Sequence, residues 1–326
     1  MQANNDAGPS NVAVVYLDQN KWIALARAVK YPAENPKMRT VLELLVEKRR
    51  TGQVLLPLAS ANIYETQKTE NLERRFDVAY CQTTLSDALF FRGRHKRLEV
   101  EIIDAIRTAY DLPALPREQH WFLSDVFLEA TSEWDDPRLA EAVPEKLVAA
   151  IRGAPKEWLF RYIMETPETI RAAAVRSFSA GSEALRQSVE ELRARDANEG
   201  LSMRRKIKNA RLMINELELI RTFVAKAGVP DVNVDDILFR HARTIMNATP
   251  TYFIEREITL RLDAQRDRPI HENDFRDMQT FCTVVPYADI VVAEKQFTSL
   301  ACQAGLDRKF GTVITPDLGE LTERLV

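Results

Sequence analysis

The sequence predicts an α/β protein: a three-layer core on a short parallel sheet, interrupted by a large all-helical insertion. Three observations predict it. Residues 12–17, VAVVYL, are a continuous apolar run, the pattern of a strand buried on both faces. A helix and a second strand-like run follow, which makes a βαβ unit with a right-handed crossover. Strand signals then vanish from about Lys68 to Arg268 and return at residues 289–293, DIVVA.

Taken in order, residues 1–11 form a polar lead-in expected to be disordered. A helix is expected over 22–29, broken by Tyr31-Pro32 and Asn35-Pro36. A second spans 38–50, with Val41, Leu42, Leu45 and Val46 apolar and Lys48, Arg49 and Arg50 at its C-terminal end, where cations suit the helix dipole. Gly52 ends it, and residues 53–58 return as a strand. Ser60 or Asn62 is placed to cap the next helix, with Glu65 in its first turns. Helical patterns follow at 98–109, 121–133, 144–151, 169–195, 203–227 and 235–246. In 203–227 the apolar stripe falls on Ile207, Ala210, Ile214, Leu217 and Val224. A helix at 273–283, the strand DIVVA, a helix at 297–304, a strand at 312–314 and a terminal helix from Leu318 complete the chain. The expected organisation is thus a core of residues 12–67 and 270–326, with 68–269 as a helical insertion lobe.

Composition narrows the function. The 326 residues are 45% hydrophobic and 29% charged, enough for a sizeable core in a globular protein. A net charge of −3 excludes a whole-chain basic field, so nucleic-acid binding needs local patches. Cys81, Cys282 and Cys302 lie far apart and form no CxxC pair, which points to small buried thiols. His95, His120, His241 and His271 lack zinc-ligand spacing. There is no P-loop, GxGxxG or GxSxG motif. No secretory signal and no apolar run of membrane-spanning length is present, so a cytoplasmic protein without membrane contact is expected.

Chemistry collects in the acids. In open parallel sheets, function gathers at the carboxyl ends of strands. Asp18 follows the first strand, Glu65 the second and Glu294 the third, while Asp277 lies in the first turn of the preceding helix. Four converging carboxylates repel one another and raise their own pKa values. A hard Mg²⁺ or Mn²⁺ removes that conflict. Each acid also has a plainer explanation: Asp18 as a helix cap, Glu65 as a solvated helix residue, Asp274 and Asp277 as dipole partners, Asp289 as a strand start.

The D-x-N after the first strand (Asp18, Asn20), the glutamate in SANIYET (Glu65) and the acids of DMQTFCTVVPYADIVVAEKQF (Asp277, Glu294) resemble the PIN-like nucleases. The resemblance covers about a third of the chain. It implies that Asp18, Glu65, Asp277 and Glu294 bind Mg²⁺ or Mn²⁺ and hydrolyse phosphodiesters, most often in RNA, with Asn20 and Ser60 in support. A role in stress or phage defence follows the family's habits. The family's fourth acid is usually an aspartate preceded by threonine, where this chain has Ala293-Glu294, and its compact members lack so long a helical segment. Asp274 and Asp289 are further candidate ligands.

Two basic stretches, FFRGRHKR at 90–97 and MRRKIKNAR at 203–211, suit phosphate backbones. They offer Arg94, Lys96, Arg97, Arg204, Arg205 and Lys206 as RNA contacts, with Lys21 and Lys295 beside the acids. Phe90, Phe91, Trp121 and Trp158 are expected in the core. Two rivals remain: a degenerate nuclease core that binds nucleic acid or serves as a scaffold, and a phosphatase of small phosphate esters. A homo-oligomer or a protein inhibitor fits any of these.

Overall fold

The computed structural model describes residues 12–130, 144–195, 198–230, 237–265 and 267–325. The expected lead-in and parts of the expected helices at 121–133 and 235–246 lie outside these residues. The chain starts with β1 (Ala13–Leu17), α1 (Gln19–Lys30), α2 (Pro36–Arg50), β2 (Val54–Leu55), α3 (Ser60–Lys68), α4 (Leu72–Ser86), β3 (Phe90–Phe91), α5 (Arg94–Ala109) and β4 (Leu123–Ser124). It continues through α6 (Glu145–Gly153), α7 (Pro155–Glu165), α8 (Glu168–Arg195), α9 (Leu201–Asn215), α10 (Leu217–Val224), α11 (Ala242–Ala248), α12 (Pro250–Ala264) and α13 (Glu272–Val284). It closes with β5 (Ile290–Val292), α14 (Lys295–Gln303), α15 (Leu306–Phe310), β6 (Val313–Thr315) and α16 (Leu321–Arg324).

The molecule is mostly helical, around a small four-stranded parallel sheet of order β2-β1-β5-β6. The strands are short but buried on both sides. Val15, Leu17, Ile290 and Val292 face one hydrophobic cluster, and Val14, Tyr16 and Val291 face the other. This is the period-2 alternation of a strand with two covered faces. Helices α1 and α2 cover the first face, and α13 and α14 the second. From β1 the chain moves outward to β2 on one side, then returns much later to β5 on the other. The gap between β1 and β5 is therefore a topological switch point, where open α/β sheets form their crevice.

The middle segment, 68–269, packs in three places. Helices α4 and α7 join the α1–α2 side, with Val78, Leu85, Leu159 and Ile163 in that cluster. Helices α8 and α12 join the opposite side through Val189, Ile254, Ile258 and Leu262. Helices α5, α9, α10 and α11 form a third cluster around Ile102, Ile106, Leu212 and Phe223.

Several local expectations change. Among its described residues the middle segment has two strands, β3 and β4, which pair antiparallel, and Phe90 also bridges to Leu58. Two-residue strands carry no periodicity, so neither left a sequence signal. Residues 121–130 are a strand and a 3₁₀ turn rather than a helix. The helix expected over 203–227 breaks at Glu216, which pairs with Arg94 at 2.6 Å and accepts a hydrogen bond from the Tyr252 hydroxyl at 3.1 Å. Of its expected apolar stripe Val224 is buried and Ile214 exposed, and the buried face also takes Leu212, Met213, Ile220 and Phe223. Cys81 and Cys282 are buried free thiols as expected, whereas Cys302 is exposed.

A candidate carboxylate site at the sheet switch point

Backbone pairing sets the first two acids side by side. The Asp18 amide donates to the Val292 carbonyl at 2.9 Å, continuing the β1–β5 ladder one residue past β1. Asp18 is then the N-cap of α1, and Glu294, two residues past β5, is the N-cap of α14. Neither carboxylate makes the usual N-cap hydrogen bond. The Asp18 side chain bonds the backbone of Gln19 at the very start of α1 and otherwise faces the other acids.

Glu65 is brought in by a set of buried polar groups: Asn62, one of the two expected capping residues, and Gln19, Thr66 and Gln82, which sequence reasoning missed. Asn62 accepts from the Ala59 amide at 2.9 Å and donates to the Leu17 carbonyl at 3.3 Å, which fixes the start of α3 to the end of β1. One turn on, the Thr66 hydroxyl accepts from Gln19 at 2.9 Å, and Gln82 donates to Gln19 at 3.0 Å. Gln19 and Thr66 are the chain neighbours of Asp18 and Glu65, so this network orients both. Buried, satisfied polar networks of this kind fix geometry as well as stability. Asp277 comes from the second turn of α13.

These four acids line one open pocket of about 330 Å³, together with Asn20, Lys68, Thr69, Asn273 and Arg276. Asn20 donates to the Glu294 carboxylate. Arg276, buried, lies 3.3 Å from Glu65 and donates to Asn273. Among the described residues Glu65 is the one of the four with an ion pair at hand. Arg276 was absent from the expected set because a lone arginine inside an acidic helix start carries no motif.

The electrostatics follow from that crowding. Burial, with help from Glu294, raises Asp18 to about 6, against the lowering pull of its backbone hydrogen bond, Lys21 and Arg276. Burial lifts Glu65 to about 7, opposed by Arg276 and reinforced by Asp18 and Glu294. Burial and the charges of Asp18, Glu294 and Glu65 lift Asp277 to about 8. The Tyr16 hydroxyl beneath them is pushed up as well, by burial and then by Asp18, Glu65 and Asp277. Desolvation and like charge outweigh the one buried guanidinium. In the side-chain arrangement observed, no three histidine, cysteine, aspartate or glutamate groups among the described residues could hold a metal ion.

The other expected positions divide sharply. Asp274 is buried as the N-terminal box of α13, accepting from the His271 amide at 2.7 Å and pairing with Arg268. Asp289 lies at the opposite end of the sheet, accepting from the Val14 amide at 2.7 Å. Neither lines the pocket, so both are corrected to structural roles. Ser60 has a buried hydroxyl without a hydrogen-bond partner and does not line the pocket either. Lys21 donates to the Pro316 carbonyl at 2.8 Å, and Lys295 is exposed at the start of α14.

The two basic stretches are largely spent internally. Arg94 pairs with Glu216, and Arg97 is fully buried, bonded to the Cys282 carbonyl at 3.0 Å and to Thr283 at 2.9 Å. Arg204 pairs with Asp263 at 2.7 Å, and Arg205 forms a two-pronged pair with Glu257 at 2.9 Å. These four are corrected from RNA contacts to ties between helices. Lys96 is half-buried and Lys206 exposed, both remote from the pocket lining. A charge run read from sequence could not reveal the acidic partners, Glu216 between α9 and α10 and Glu257 and Asp263 in α12.

No helix among the described residues is long and apolar enough to cross a membrane. No family model, curated protein or solved structure matches this chain.

Proposed function

We propose that the switch-point pocket binds Mg²⁺ or Mn²⁺ and hydrolyses phosphodiesters, with RNA as the substrate, on a PIN-like core. The observation that carries this reading is the convergence of four acids, from four distant parts of the chain, with three raised well above ordinary carboxylates. A purely structural cluster would be neutralised by arginines, as Asp274 and Glu257 are. Here four acids outnumber the cations in the pocket, Arg276 and Lys68, an arrangement typical of functional sites.

The donor set fits a hard divalent cation in type, since carboxylate and amide oxygens are its preferred ligands. The observed side-chain arrangement is not closed around an ion. Such a cation supplies charge against the phosphate and a more acidic bound water. Asp18, Glu65, Asp277 and Glu294 would hold it, with Glu294 oriented by its hydrogen bond from Asn20. Arg276 and Lys68 face the substrate phosphate, and the N-termini of α1 and α14 add their positive dipole ends. No described histidine lines the pocket, so no imidazole is assigned a proton-transfer role.

The test is cleavage of a mixed RNA pool with Mn²⁺ or Mg²⁺ by the wild-type chain and by Asp18→Asn and Asp277→Asn. The reading expects metal-dependent cleavage lost in both variants. A second reading, a non-catalytic nucleic-acid-binding protein, is favoured by the Arg276–Glu65 pair and the unclosed donor set. RNA retention without cleavage in either metal establishes it instead.

A further inference from the structure

A second pocket adjoins the first. It is walled by Gln67, Lys68 and Glu70 around the end of α3, Arg75 of α4, and Glu168, Arg171 and Arg176 of α8, and encloses about 680 Å³. Lys68 lines both pockets. Arg75 is the anomaly. It is only 4% exposed, yet its Nε and Nη1 are buried without any hydrogen-bond partner. No ion pair forms between Arg75 and any described carboxylate. Arg171 donates to Glu168 through one terminal nitrogen, and its own Nε is buried without a partner. Four cations therefore face two carboxylates around one cavity.

A buried guanidinium cannot shed its charge by losing a proton, because its pKa is too high. Burying it unpaired is strongly unfavourable unless an anion completes the site. Other deeply buried arginines have acceptors: Arg97 has carbonyls and hydroxyls, Arg276 has Asn273, and Arg256 has Glu257, Asn209 and Asn247. Arg75 has none at Nε or Nη1, and it lines the cavity that shares Lys68 with the carboxylate pocket. Arginine's planar fork matches phosphate oxygens.

We propose that the Arg75 pocket holds a backbone phosphate of a single-stranded RNA, next along the strand from the phosphodiester bound among the carboxylates. The inference rests on the proposed nuclease reading for the identity of the strand. It makes the two pockets one continuous track: acids with a cation at the cut, guanidinium groups on the adjoining phosphate. It also explains how a chain with a net charge of −3 can engage a polyanion, by concentrating a few cations at one place.

The experiment measures binding of a fluorescent oligouridylate to the full chain by anisotropy, in EDTA so that cleavage cannot intervene, over a salt series. Two variants are used. Arg75→Met removes the unpaired charge at similar volume and is expected to melt higher than wild type without ligand, so misfolding cannot mimic lost binding. Arg176→Ala alters an exposed side chain. Each is expected to weaken binding about tenfold, as loss of a charge-assisted contact does. Each is also expected to flatten the slope of log affinity against log salt by about 0.7, one single-strand phosphate contact. Unchanged affinity and slope in Arg75→Met overturn the proposal. So does inorganic phosphate raising the melting temperature while oligouridylate fails to bind, which marks a small-anion pocket. Displacement of bound RNA by polyglutamate only in wild type supports the shared site, whereas polyglutamate binding without RNA binding marks a protein partner and overturns it. Metal-dependent cleavage by the wild type and by Asp277→Asn is measured separately: weakened RNA binding in Arg75→Met, with no cleavage by wild type, refutes the nuclease reading and leaves the anion pocket standing.

Discussion

Replacing Asp277 with asparagine should make the metal-free protein more stable, and increasingly so as pH rises. The folded chain holds this carboxyl at about 8, against an ordinary 3.8, because it is buried beside Asp18, Glu294 and Glu65. A group raised in the folded state binds its proton more tightly there than in the unfolded chain. Its stabilising effect is complete below the unfolded value, near pH 4, and is lost as pH climbs through the folded value near 8. Asparagine mimics the neutral carboxyl at every pH, so the variant keeps what the wild type loses. Four pKa units at about 1.4 kcal/mol each set a ceiling of roughly 5–6 kcal/mol. The pocket is open to water and the acids titrate together, so the realised gain is on the order of 1–2 kcal/mol. With about 2.1 cal/mol/K of unfolding entropy per residue, that is roughly 2–3 °C for a chain of this size. Differential scanning calorimetry in EDTA at pH 5 and pH 8.5 measures it. Near-coincident melting at pH 5 and a higher-melting variant at pH 8.5 are expected. A variant that melts lower at pH 8.5 refutes the claim that Asp277 sits in a field of uncompensated negative charge.

The same field has other consequences. Mn²⁺ should raise the wild-type melting temperature by mass action, and Asp277→Asn should lose most of that rise, a loss read in the same instrument. Arg276→Gln removes the cation that holds Glu65 down, so the acid limb of any metal-dependent activity should move to higher pH; an unmoved limb contradicts the pairing. Asp289→Ala should cost about 1–2 kcal/mol by leaving the Val14 amide without its acceptor, while Mn²⁺ affinity stays unchanged, because this acid lies at the far end of the sheet. Thr66→Val leaves Gln19 and Gln82 under-bonded, at about 1–3 kcal/mol in urea melts. Its effect on metal affinity tests whether that network positions Asp18 and Glu65.

What was legible in the sequence depended on repetition and on strand ends. VAVVYL and DIVVA announced buried parallel strands because a strand covered on both faces must be apolar throughout. Acids immediately after such runs could be assigned to one sheet edge, and Asp18, Glu65, Asp277 and Glu294 do line one pocket. Asp289 misled because it is close to Glu294 in sequence, yet strand β5 lies between them and carries it to the opposite edge of the sheet. The arginines of residues 90–97 and 203–211 misled because charge runs show cations and hide their partners: Glu216, Glu257 and Asp263 lie far away in sequence. Arg75 and Arg276 left no mark at all, since their significance lies in what surrounds them. The strands β3 and β4 were too short to show a period.

The central claim is that remote acids share one pocket, hold extra protons near neutral pH, and give them up to a divalent cation. Proton release on Mn²⁺ addition tests it most directly, measured by calorimetric titration at pH 7 in buffers of different ionisation enthalpy. With Glu65 near 7 and Asp277 near 8, binding should expel about one proton or more per ion. Binding with no proton release, as ordinary surface carboxylates give, or no binding at all contradicts the account.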